Sequence, residues 1–432
     1  MNQDDVPPAR PIRPCVLLDG RTRAPASKSL TIRALAAAAL APGRSVLKDP
    51  LLADDTRLMA RALGQLGIPV LHRGDSFIVE GPGGRLPAGN ASLWLDNAGT
   101  PLRILTALCT LGDGRITLDG SARMRERPIA GLVTALRDLD VRIRSIHDDG
   151  CPPVEVLAGG FPGGTVLLQA GASSQYLSAL LMVAPCGSRA LELEVAGKVV
   201  SRPYIDLTVQ VMREFGARID HEGHRRFLVH PTGYHPRQYA IEADASSASY
   251  FFAAAAITGG RVEVTGIPPE SRQGDLRFLD LLEEMGCRTS REAGTIRVEG
   301  CRRLKGIDAE LGDTPDLVPS LAAVALFAHG KTTIRGIAHL RLKETDRIET
   351  VASCVRALGA RADTGPDSLT IRPLGARRRG PDPVTVDPAG DHRLAMAFAV
   401  AGLALPGLRI ADPDCVSKSF PDFFERLEQL TA

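Results

Sequence analysis

The chain has 432 residues, enough for two large domains or several small ones. Its 52 Lys and Arg nearly balance its 50 Asp and Glu, so the net charge of +2 does not favour bulk binding to nucleic acid or to a membrane surface. Eight scattered cysteines without a CxxC pair indicate free thiols in a reducing, cytoplasmic compartment. We expect no membrane span and no signal segment, because the first residues lack an apolar core and no apolar run reaches about 18 residues.

In chain order, one pattern recurs six times: a small or hydroxyl-rich start, an Ala/Leu-rich helix, a Gly turn and a short strand. A second, amphipathic helix follows each copy, and most of these helices close on a Gly. Each unit therefore predicts strand, buried helix, strand, amphipathic helix, strand, strand, in an α/β fold. The residues alone leave open one ring of six units or two clusters of three. The six first helices are predicted to start at Ser27, Ala98, Ala172, Ala245, Thr314 and Ala389.

Polar residues gather at these helix starts, in the segments SKS, NAGT, SSQ, DASS, DTPD and AGDH. A helix N-terminus presents free N–H groups and the positive end of the helix dipole, so several such ends facing one cleft would bind an anion. Guanidinium groups bind carboxylate and phosphate through two hydrogen bonds, which favours a small, multiply anionic substrate. The basic residues at or near the helix starts are Lys28, Arg33, Arg103, Arg127, Lys343, Arg347, Arg393 and Lys418.

Each of these residues also has a simpler structural interpretation. Asp316 is more typical of a helix cap than of a catalytic base, whereas for His392 a packed structural histidine is about as typical as a functional one. Lys28 is less easily explained, because a cation is unfavourable at a helix N-terminus unless an anion binds there. Asp316 and Glu344 are the natural candidates for proton transfer. No GxxxxGK[ST], GxGxxG or metal-ligand pattern predicts a nucleotide cofactor or a metal.

Nine segments then carry a resemblance to a known family: PASKSLTIR, LDNAGTPLR, RMRERPI, SSQYLSALLM, VSRPYID, ADASSAS, RLKETDR, DHRLAMAF and SKSFPDFF. In order, from about Arg23 to Glu425, they resemble the 3-phosphoshikimate 1-carboxyvinyltransferase (EPSP synthase) family of enolpyruvyl transferases. The resemblance implies two domains of three βαβαββ units each, 1–25 with 243–432 and 26–242, and an active site in the interdomain cleft.

The same resemblance implies a reaction. The enolpyruvyl group of phosphoenolpyruvate would pass to the 5-hydroxyl of 3-phosphoshikimate through a tetrahedral intermediate, with release of phosphate. This is a step of the shikimate pathway, which leads to chorismate and the aromatic amino acids, and it is the target of glyphosate. We expect no metal or organic cofactor, no nucleic-acid or membrane partner, and a cytoplasmic monomer.

The resemblance also assigns site residues. Asp316 would take the proton from the attacking hydroxyl. Glu344 would protonate the methylene carbon with help from Lys28 and His392, although the choice between Glu344 and Lys28 as the acid stays open. Phosphoenolpyruvate would contact Lys28, Asn97, Gly99, Thr100, Arg103, Arg127, Gln175, Arg347, Arg393 and Lys418. 3-Phosphoshikimate would contact Lys28, Ser29, Arg33, Ser173, Ser174, Gln175, Ser201, Tyr204, Asp316, His339 and Lys343.

Three positions depart from the common family pattern. Arg202 replaces a common Lys beside Ser201, with little consequence expected. His339 stands where many relatives have Asn in the shikimate phosphate pocket. Ile104 stands where many herbicide-sensitive members have Pro, and our hypothesis is that Ile104 relaxes the first turn of its helix and weakens glyphosate binding. Gly99 argues the other way, since it leaves room for the inhibitor. Equal glyphosate inhibition of the wild type and of Ile104→Pro would refute this hypothesis.

Three other functions compete with this interpretation. An enolpyruvyl transferase for a UDP-amino sugar typically has a catalytic loop cysteine and an initial Lys–Asn pair, whereas here Ser27 precedes Lys28 and no Cys lies near 115–127. An RNA-end cyclase would need a nucleotide-reactive histidine, for which His392 is the suitable candidate. A non-catalytic repeat scaffold would not need carboxylates among the cations.

Overall fold

The computed structural model describes residues 9–15, 18–169, 173–375 and 383–431. Ala172, the third predicted helix start, lies outside these residues. The chain forms two compact units, one made of Met1–Pro25 with Glu242–Ala432 and one made of Ala26–Ile241. They are called unit 1 and unit 2 below. No helix in the described part of the chain is long and apolar enough to cross a membrane.

The described residues contain helices and strands in regular alternation. The α-helices are α1 Lys28–Leu40, α2 Asp54–Gln65, α3 Gly99–Leu108, α4 Ala130–Asp138, α5 Ser174–Val183, α6 Arg202–Glu214, α7 Ala245–Thr258, α8 Arg277–Glu284, α9 Val318–Ala325, α10 Arg347–Ala357, α11 His392–Gly402 and α12 Phe423–Thr431. The strands are β1 Arg10–Pro11, β2 Asp19–Arg23, β3 Pro42–Lys48, β4 Val70–Arg73, β5 Ser76–Pro82, β6 Ala91–Trp94, β7 Asp113–Asp119, β8 Arg142–Ser145, β9 Val154–Gly159, β10 Gly164–Gln169, β11 Leu191–Ala196, β12 Ile219–Glu222, β13 Arg226–Val229, β14 Gln238–Ala240, β15 Arg261–Thr265, β16 Arg288–Glu292, β17 Thr295–Glu299, β18 Asp308–Glu310, β19 Thr332–Arg335, β20 Arg361–Gly365, β21 Ser368–Arg372, β22 Val384–Val386 and β23 Leu408–Ile410.

Among the described residues these strands form six small sheets, five of four strands and one of three. The sheet β6-β7-β9-β8 shows the common plan, because its first two strands are parallel and its other pairs are antiparallel. The parallel pair is joined through α3, and α4 leads from β7 to the β8–β9 hairpin. This is the βαβαββ order that the repeats predict, so the α/β fold class is confirmed.

The first strand of one repeat in each unit comes from a distant part of the chain. Strand β2 precedes α1 in sequence but pairs in parallel with β15 of unit 1. Strand β14 precedes α7 but pairs in parallel with β3 of unit 2. Each unit therefore completes its sheets with its own strands, although unit 1 is discontinuous in sequence.

The first helix of each repeat supplies the core. Every described residue of α1 from 30 to 40 is buried, and the same holds for α7 from 245 to 257. Helices that are apolar on all sides are buried rather than amphipathic, and their many alanines allow close packing. Helices α1, α3 and α5 pack together in unit 2, and α7, α9 and α11 in unit 1. Their polar N-terminal residues are thereby brought close to one another within each unit.

The eight cysteines, all within the described residues, are free thiols, as the sequence predicts. Burial raises the pKa of Cys354 to about 12. Burial, and to a smaller extent the neighbouring Cys301, raises the pKa of Cys287 to about 12 as well. These thiols therefore stay protonated at neutral pH and are poor nucleophiles.

Candidate active site

Arg347 is the centre of a charged cluster in unit 1. Its guanidinium is 1% exposed and donates from Nε to Asp391 Oδ2 at 2.8 Å, from Nη1 to Asp316 Oδ1 at 3.1 Å and from Nη2 to Glu344 Oε2 at 2.7 Å. Burial by itself would lower the pKa of Arg347, but the charges of Asp391, Glu344 and Asp316 outweigh burial and raise it. Arg347 is therefore permanently cationic and fixes three carboxylates at once.

The local folding of three helix starts explains this convergence. Asp316 lies in a 3-10 turn, Pro315–Leu317, directly before α9. Arg347 is the first residue of α10, and Asp391 caps α11 by accepting a hydrogen bond from the Arg393 amide at 3.0 Å. Because α9 and α11 pack side by side and α10 also contacts α9, their polar starts meet.

Asp316 is held between two arginines. Its Oδ1 accepts from Arg347, and its Oδ2 lies 2.6 Å from Arg393 Nη2. Glu344 has one oxygen on Arg347 and keeps a side chain that is 12% exposed. A carboxylate fixed in this way can accept a proton from one defined direction, as general base catalysis requires. The structure thus brings together four predicted site residues, Asp316, Glu344, Arg347 and Arg393.

Two further predicted residues lie beside this cluster. His392 is fully buried, and its Nδ1 is 4.0 Å from Asp391 Oδ1. Lys418 ends the 3-10 turn Pro413–Lys418, which packs against α11. The starts of α10 and α11 therefore collect both basic and acidic groups in unit 1.

His339 and Lys343 flank the same cluster. His339 is 7% exposed, and its Nε2 has no hydrogen-bond partner within the described part of the chain. Burial, assisted by the positive charge of Lys343, lowers the pKa of His339 to about 4. His339 is consequently a neutral imidazole at pH 7 and can offer a hydrogen bond without adding a charge.

The segment LRLKETDRIE divides into site residues and supporting residues. Arg341 pairs with Asp346 at 2.7 Å and with Glu349 at 3.7 Å. Asp346 also caps α10 by accepting from the Glu349 amide at 3.3 Å. These three residues stabilise the turn that presents Glu344 and Arg347.

In unit 2, Lys28 at the start of α1 forms an ion pair that the sequence analysis did not identify. Its Nζ lies 2.9 Å from Asp55 Oδ2, and the Asp55 side chain is 4% exposed. Asp55 is in the first turn of α2 and faces inward, whereas an acidic residue at that position is normally a solvated helix-dipole partner. The signal that was missed is the pair of adjacent carboxylates, Asp54 and Asp55, in the segment DDT, of which Asp55 is buried.

The start of α3 is surrounded by two buried arginines. Arg127 donates from Nη1 to the Asn97 backbone oxygen at 2.9 Å and to its Oδ1 at 2.8 Å. Arg103 donates to the Gly99 and Pro128 backbone oxygens at 3.0 and 2.8 Å. A Cβ atom at Gly99 would lie 2.5 Å from Arg127 Nη2 and 2.8 Å from Arg103 Nη1. Only glycine fits between these guanidinium groups as they stand.

Hydrogen bonds tie the start of α5 to the start of α3. Gln175 Nε2 donates to Thr100 Oγ1 at 2.8 Å. Ser173 caps α5, since its Oγ accepts from the Gln175 amide at 3.2 Å, and Ser174 is the first helical residue. The predicted residues Thr100, Ser173, Ser174 and Gln175 are thus neighbours.

Arg33 is buried next to two other predicted residues, Ser29 and Tyr204. It donates to Thr208 Oγ1 at 2.8 Å and to the backbone oxygens of Ser29 and Tyr204 at 3.0 Å each. Burial lowers the pKa of Arg33 to about 10, which still leaves it charged at neutral pH. Ser201, in the left-handed conformation with φ 55°, is the N-cap residue of α6, the helix that contains Tyr204.

Some of the predicted phosphoenolpyruvate ligands are already engaged with protein groups. All three guanidinium nitrogens of Arg347 bind carboxylates, so its predicted contact with phosphoenolpyruvate requires one of these ion pairs to open. Arg393 is likewise engaged with Asp316. Among the described residues, no group of three His, Cys, Asp or Glu side chains is arranged to hold a metal ion.

Solved structures define the class of this fold. EPSP synthase from Acinetobacter baumannii superposes with a TM-score of 0.79 at 25% identity, over 98% of this chain and 97% of that chain. The enolpyruvyl transferase NikO from Streptomyces tendae superposes with a TM-score of 0.78 at 20% identity, over 98% of both chains. The fold is therefore that of the enolpyruvyl transferases.

Sequence relatives narrow the class. The family model for EPSP synthase (3-phosphoshikimate 1-carboxyvinyltransferase) matches residues 12–427. The 3-phosphoshikimate 1-carboxyvinyltransferase of Methanoculleus marisnigri is 46% identical over 412 residues, which cover 95% of this chain and 96% of the relative. That of Nostoc punctiforme is 43% identical over 416 residues, 96% of each chain. The chain belongs to the EPSP synthase family and is a transferase.

Membership in this family decides among the competing functions. The chain transfers the carboxyvinyl group of phosphoenolpyruvate to 3-phosphoshikimate, a step of the shikimate pathway to aromatic amino acids. The family assignment favours this activity over transfer to a UDP-amino sugar and over a scaffold without catalysis.

Proposed function

We propose that the carboxylate cluster of unit 1 and the starts of α1, α3 and α5 in unit 2 act on the same two substrates. The observation that carries this proposal is Asp316, whose two oxygens are held by Arg347 and Arg393 while Glu344 shares Arg347. A candidate base and a candidate acid are thereby bound to one set of arginines, Arg347 with Arg393, which is called the cationic frame below.

In this proposal the anionic groups of the substrates bind to the arginines and lysines. Phosphoenolpyruvate is bound by Lys28, Asn97, Gly99, Thr100, Arg103, Arg127, Gln175, Arg347, Arg393 and Lys418. 3-Phosphoshikimate is bound by Lys28, Ser29, Arg33, Ser173, Ser174, Gln175, Ser201, Tyr204, Asp316, His339 and Lys343. Arg33, Arg103 and Arg127 support these roles because backbone and side-chain oxygens orient their guanidinium groups.

The chemical steps follow from these positions. Asp316 accepts the proton of the 5-hydroxyl of 3-phosphoshikimate while the hydroxyl oxygen attacks C2 of phosphoenolpyruvate. C3 of phosphoenolpyruvate takes up a proton and becomes a methyl group. The resulting tetrahedral intermediate carries phosphate and carboxylate on one carbon, and preorganised cations stabilise it. Loss of a methyl proton then expels phosphate and leaves the enolpyruvyl ether.

Arg347 acts in two ways in this scheme. It orients Asp316 and Glu344 in the free protein, and it reaches phosphoenolpyruvate when an anionic substrate replaces one of its carboxylate partners. Such an exchange would free that carboxylate for proton transfer at the moment of binding. His392, which is buried beside Asp391, assists by supporting the same frame.

Two candidates remain for the acid that protonates C3. Glu344 lies on the cationic frame, and Lys28 lies in the other unit beside Asp55. Deuterium incorporation at C3 in D2O separates the two candidates. The variant that lacks the acid should lose this incorporation although it still binds both substrates, and the other variant should keep it. Glu344→Gln and Lys28→Met are the variants to compare.

The proposal extends to organisation and location. We propose domains of 1–25 with 243–432 and of 26–242, a monomer, and a cytoplasmic location. Sedimentation equilibrium tests the monomer, and fractionation of the source cells tests the location. Weaker glyphosate binding because of Ile104 stays a hypothesis, which a comparison of glyphosate inhibition between wild type and Ile104→Pro tests.

Phosphorus NMR of the product tests the proposal. Phosphoenolpyruvate and 3-phosphoshikimate are mixed with the protein, each is omitted in turn, and a UDP-amino sugar serves as the rival acceptor. We expect phosphate release only with both substrates, and its loss in Asp316→Ala and Glu344→Ala. If Asp316→Ala still releases phosphate with both substrates, Asp316 is not the base. If phosphate is released only when the UDP-amino sugar is the acceptor, 3-phosphoshikimate is not the acceptor.

A further inference from the structure

The buried hydroxyl group of Thr208 has no role in the reaction scheme above. Thr208 lies in α6, one turn after Tyr204, and is 0% exposed. Its Oγ1 accepts from Arg33 Nε at 2.8 Å, donates to the Tyr204 backbone oxygen at 2.8 Å and lies 2.8 Å from Ser178 Oγ. This one side chain joins three helices of unit 2, because Arg33 belongs to α1 and Ser178 belongs to α5.

The hydrogen bonds of Thr208 use its full capacity. A hydroxyl group has one proton to donate and two lone pairs that can accept. The proton goes to the Tyr204 backbone oxygen, so Ser178 donates to one lone pair of Thr208 and Arg33 donates to the other. Because each bond has a defined direction, the hydroxyl group cannot rotate without leaving a buried partner unsatisfied.

Arg33 takes its orientation from uncharged oxygens. Its Nε donates to Thr208, its Nη1 donates to the Ser29 backbone oxygen, and its Nη2 donates to the Tyr204 backbone oxygen. These acceptors set the plane of the guanidinium group and leave its positive charge in place. A guanidinium group has five N–H donors, so these bonds leave one N–H on each terminal nitrogen for a ligand, within the part of the chain that the structure describes.

Thr208 differs from the other two acceptors of Arg33. Those two are backbone oxygens, which follow from the helical course of α1 and α6, whereas the Thr208 hydroxyl depends on the side chain at that position. The bond from Ser178 also ties Thr208 to α5, one turn after Ser174. Thr208 therefore couples Arg33 to the helix whose start holds other predicted ligands of 3-phosphoshikimate.

We propose that Thr208 is a positioning residue, whose hydroxyl group holds the guanidinium plane of Arg33 in the orientation that binds an anionic group of 3-phosphoshikimate. This inference rests on the proposed role of Arg33 in binding that substrate. Without the hydroxyl group, Nε loses its partner in a buried place, and the guanidinium group turns toward another oxygen. Binding of 3-phosphoshikimate then weakens, while the proton transfer assigned to Asp316 is not changed.

Thr208→Val is the first test, because it removes the hydroxyl group and keeps a side chain of nearly the same shape. We expect KM for 3-phosphoshikimate to rise by about tenfold, with kcat and KM for phosphoenolpyruvate within about twofold of wild type. Thr208→Ser keeps the hydroxyl group and should restore KM for 3-phosphoshikimate to within about twofold of wild type. Urea unfolding of each variant checks that it is folded under the assay conditions.

A double-mutant cycle tests whether Thr208 acts through Arg33. Arg33→Lys removes the Nε donor and should itself raise KM for 3-phosphoshikimate. In the Arg33→Lys background, adding Thr208→Val should change this KM by less than about twofold, because the bond that Thr208 supplies is already lost. A further rise of about tenfold in that background would show that Thr208 does not act through Arg33 and would overturn this inference.

Ser178→Ala is a milder variant that leaves both bonds of Thr208 to Arg33 and Tyr204 in place, and it should raise the same KM by about threefold. Thr106→Val is the matched control, since Thr106 is also 0% exposed and its hydroxyl donates to the Leu102 backbone oxygen of its own helix at 2.8 Å. It should leave both KM values unchanged.

The same kinetics separate failure of this inference from failure of the proposed function. If Arg33→Lys leaves KM for 3-phosphoshikimate unchanged, Arg33 does not bind that substrate and the proposed role of Arg33 is wrong. If Arg33→Lys raises this KM and neither Thr208→Val nor Ser178→Ala does, only the role of Thr208 is wrong. An equal rise in Thr106→Val would also contradict a specific role of Thr208.

Discussion

Arginines at the helix starts have two kinds of partner. Arg103 and Arg127 donate to backbone and amide oxygens, which orient their guanidinium groups. Arg347 and Arg393 instead bind carboxylates and orient the groups that would transfer protons. We propose that Arg103 and Arg127 bind substrate charge, and that Arg347 and Arg393 also arrange the acid and the base. This division could not be read from the sequence, where all four look alike.

Gly99→Ala is predicted to weaken donor binding. The added methyl group would lie 2.5 Å from Arg127 Nη2 and 2.8 Å from Arg103 Nη1, so both guanidinium groups must move. We expect KM for phosphoenolpyruvate to rise by about tenfold or more, which corresponds to about 1.4 kcal/mol, with a smaller change in KM for 3-phosphoshikimate. Steady-state kinetics with each substrate varied in turn measures both constants.

Gly64→Ala is the matched control for this substitution. Gly64 also lies in a helix, and a Cβ atom there meets nothing within 4 Å. It should leave both KM values unchanged and slightly stabilise α2, since Ala favours helix over Gly. An unchanged KM for phosphoenolpyruvate in Gly99→Ala would show that the two arginines do not need their observed positions.

His339 is predicted to destabilise the protein in acid. Its folded pKa of about 4 lies below the ordinary value of 6.5, so its contribution to stability is present above pH 6.5 and is lost as the pH falls toward 4. Between pH 7 and pH 4, the unfolding free energy of wild type should fall by on the order of 2 kcal/mol more than that of His339→Asn. Urea unfolding at each pH measures this difference. His329→Asn, at an exposed site of the same unit, should follow wild type, and a His339→Asn curve parallel to wild type would contradict the prediction.

At the scale of elements, the helix starts were the predictable part. Cap residues and Ala-rich runs gave the starts of α1, α3, α5, α7 and α11 to within a few residues, because capping is a local interaction. The pairing of Lys28 with Asp55 was missed, since it depends on how α1 packs against α2. The convergence of Asp316, Glu344 and Asp391 on Arg347 depends in the same way on three helices that are distant in sequence.

Arg347 is predicted to be needed for stability as well as activity. Arg347→Met would leave the fully buried Asp391 without its cation, and breaking a buried ion pair on one side costs about 3–5 kcal/mol. Arg347→Lys should also fail to restore activity, because an ammonium group cannot bind three carboxylates through a planar fork. Chemical denaturation and phosphate-release assays measure the two effects.

Arg335→Met is the matched control for Arg347→Met. Arg335 binds Asp308 through Nε and Nη2 at 3.0 Å each, but on the surface of the same unit. Exposed ion pairs contribute about 0–1 kcal/mol, so this variant should be nearly as stable and active as wild type. Equal destabilisation by both substitutions would show that burial of the Arg347 cluster does not matter.

For the whole molecule, the repeat pattern predicted six βαβαββ units, but it could not assign β2 and β14 to their sheets. These strands pair with β15 and β3, far from their own neighbours in sequence. Periodicity shows what forms locally, whereas strand partners across more than 190 residues depend on the completed core. The family resemblance, not the repeats, suggested where the chain passes from one unit to the other.

Unit 2 is predicted to fold by itself. Residues 26–241 are continuous and contain every strand of their three sheets, including β14, which pairs with β3. A fragment of these residues should show cooperative thermal unfolding by circular dichroism. A shorter fragment that ends at residue 237 lacks β14 and exposes an edge of β3, so it should be less stable or aggregate. Equal stability of the two fragments would contradict the role given to β14.

Proton removal by Asp316 is the step on which the proposed chemistry depends. Single-turnover phosphate release, with both substrates saturating, separates this step from binding and product release. We predict that Asp316→Asn slows this phase by about 10²–10⁴-fold, while Asp308→Asn, at an exposed ion pair of the same unit, leaves it unchanged. If Asp316→Asn retains a single-turnover rate within about threefold of wild type, Asp316 is not the base and the proposed arrangement of acid and base is wrong.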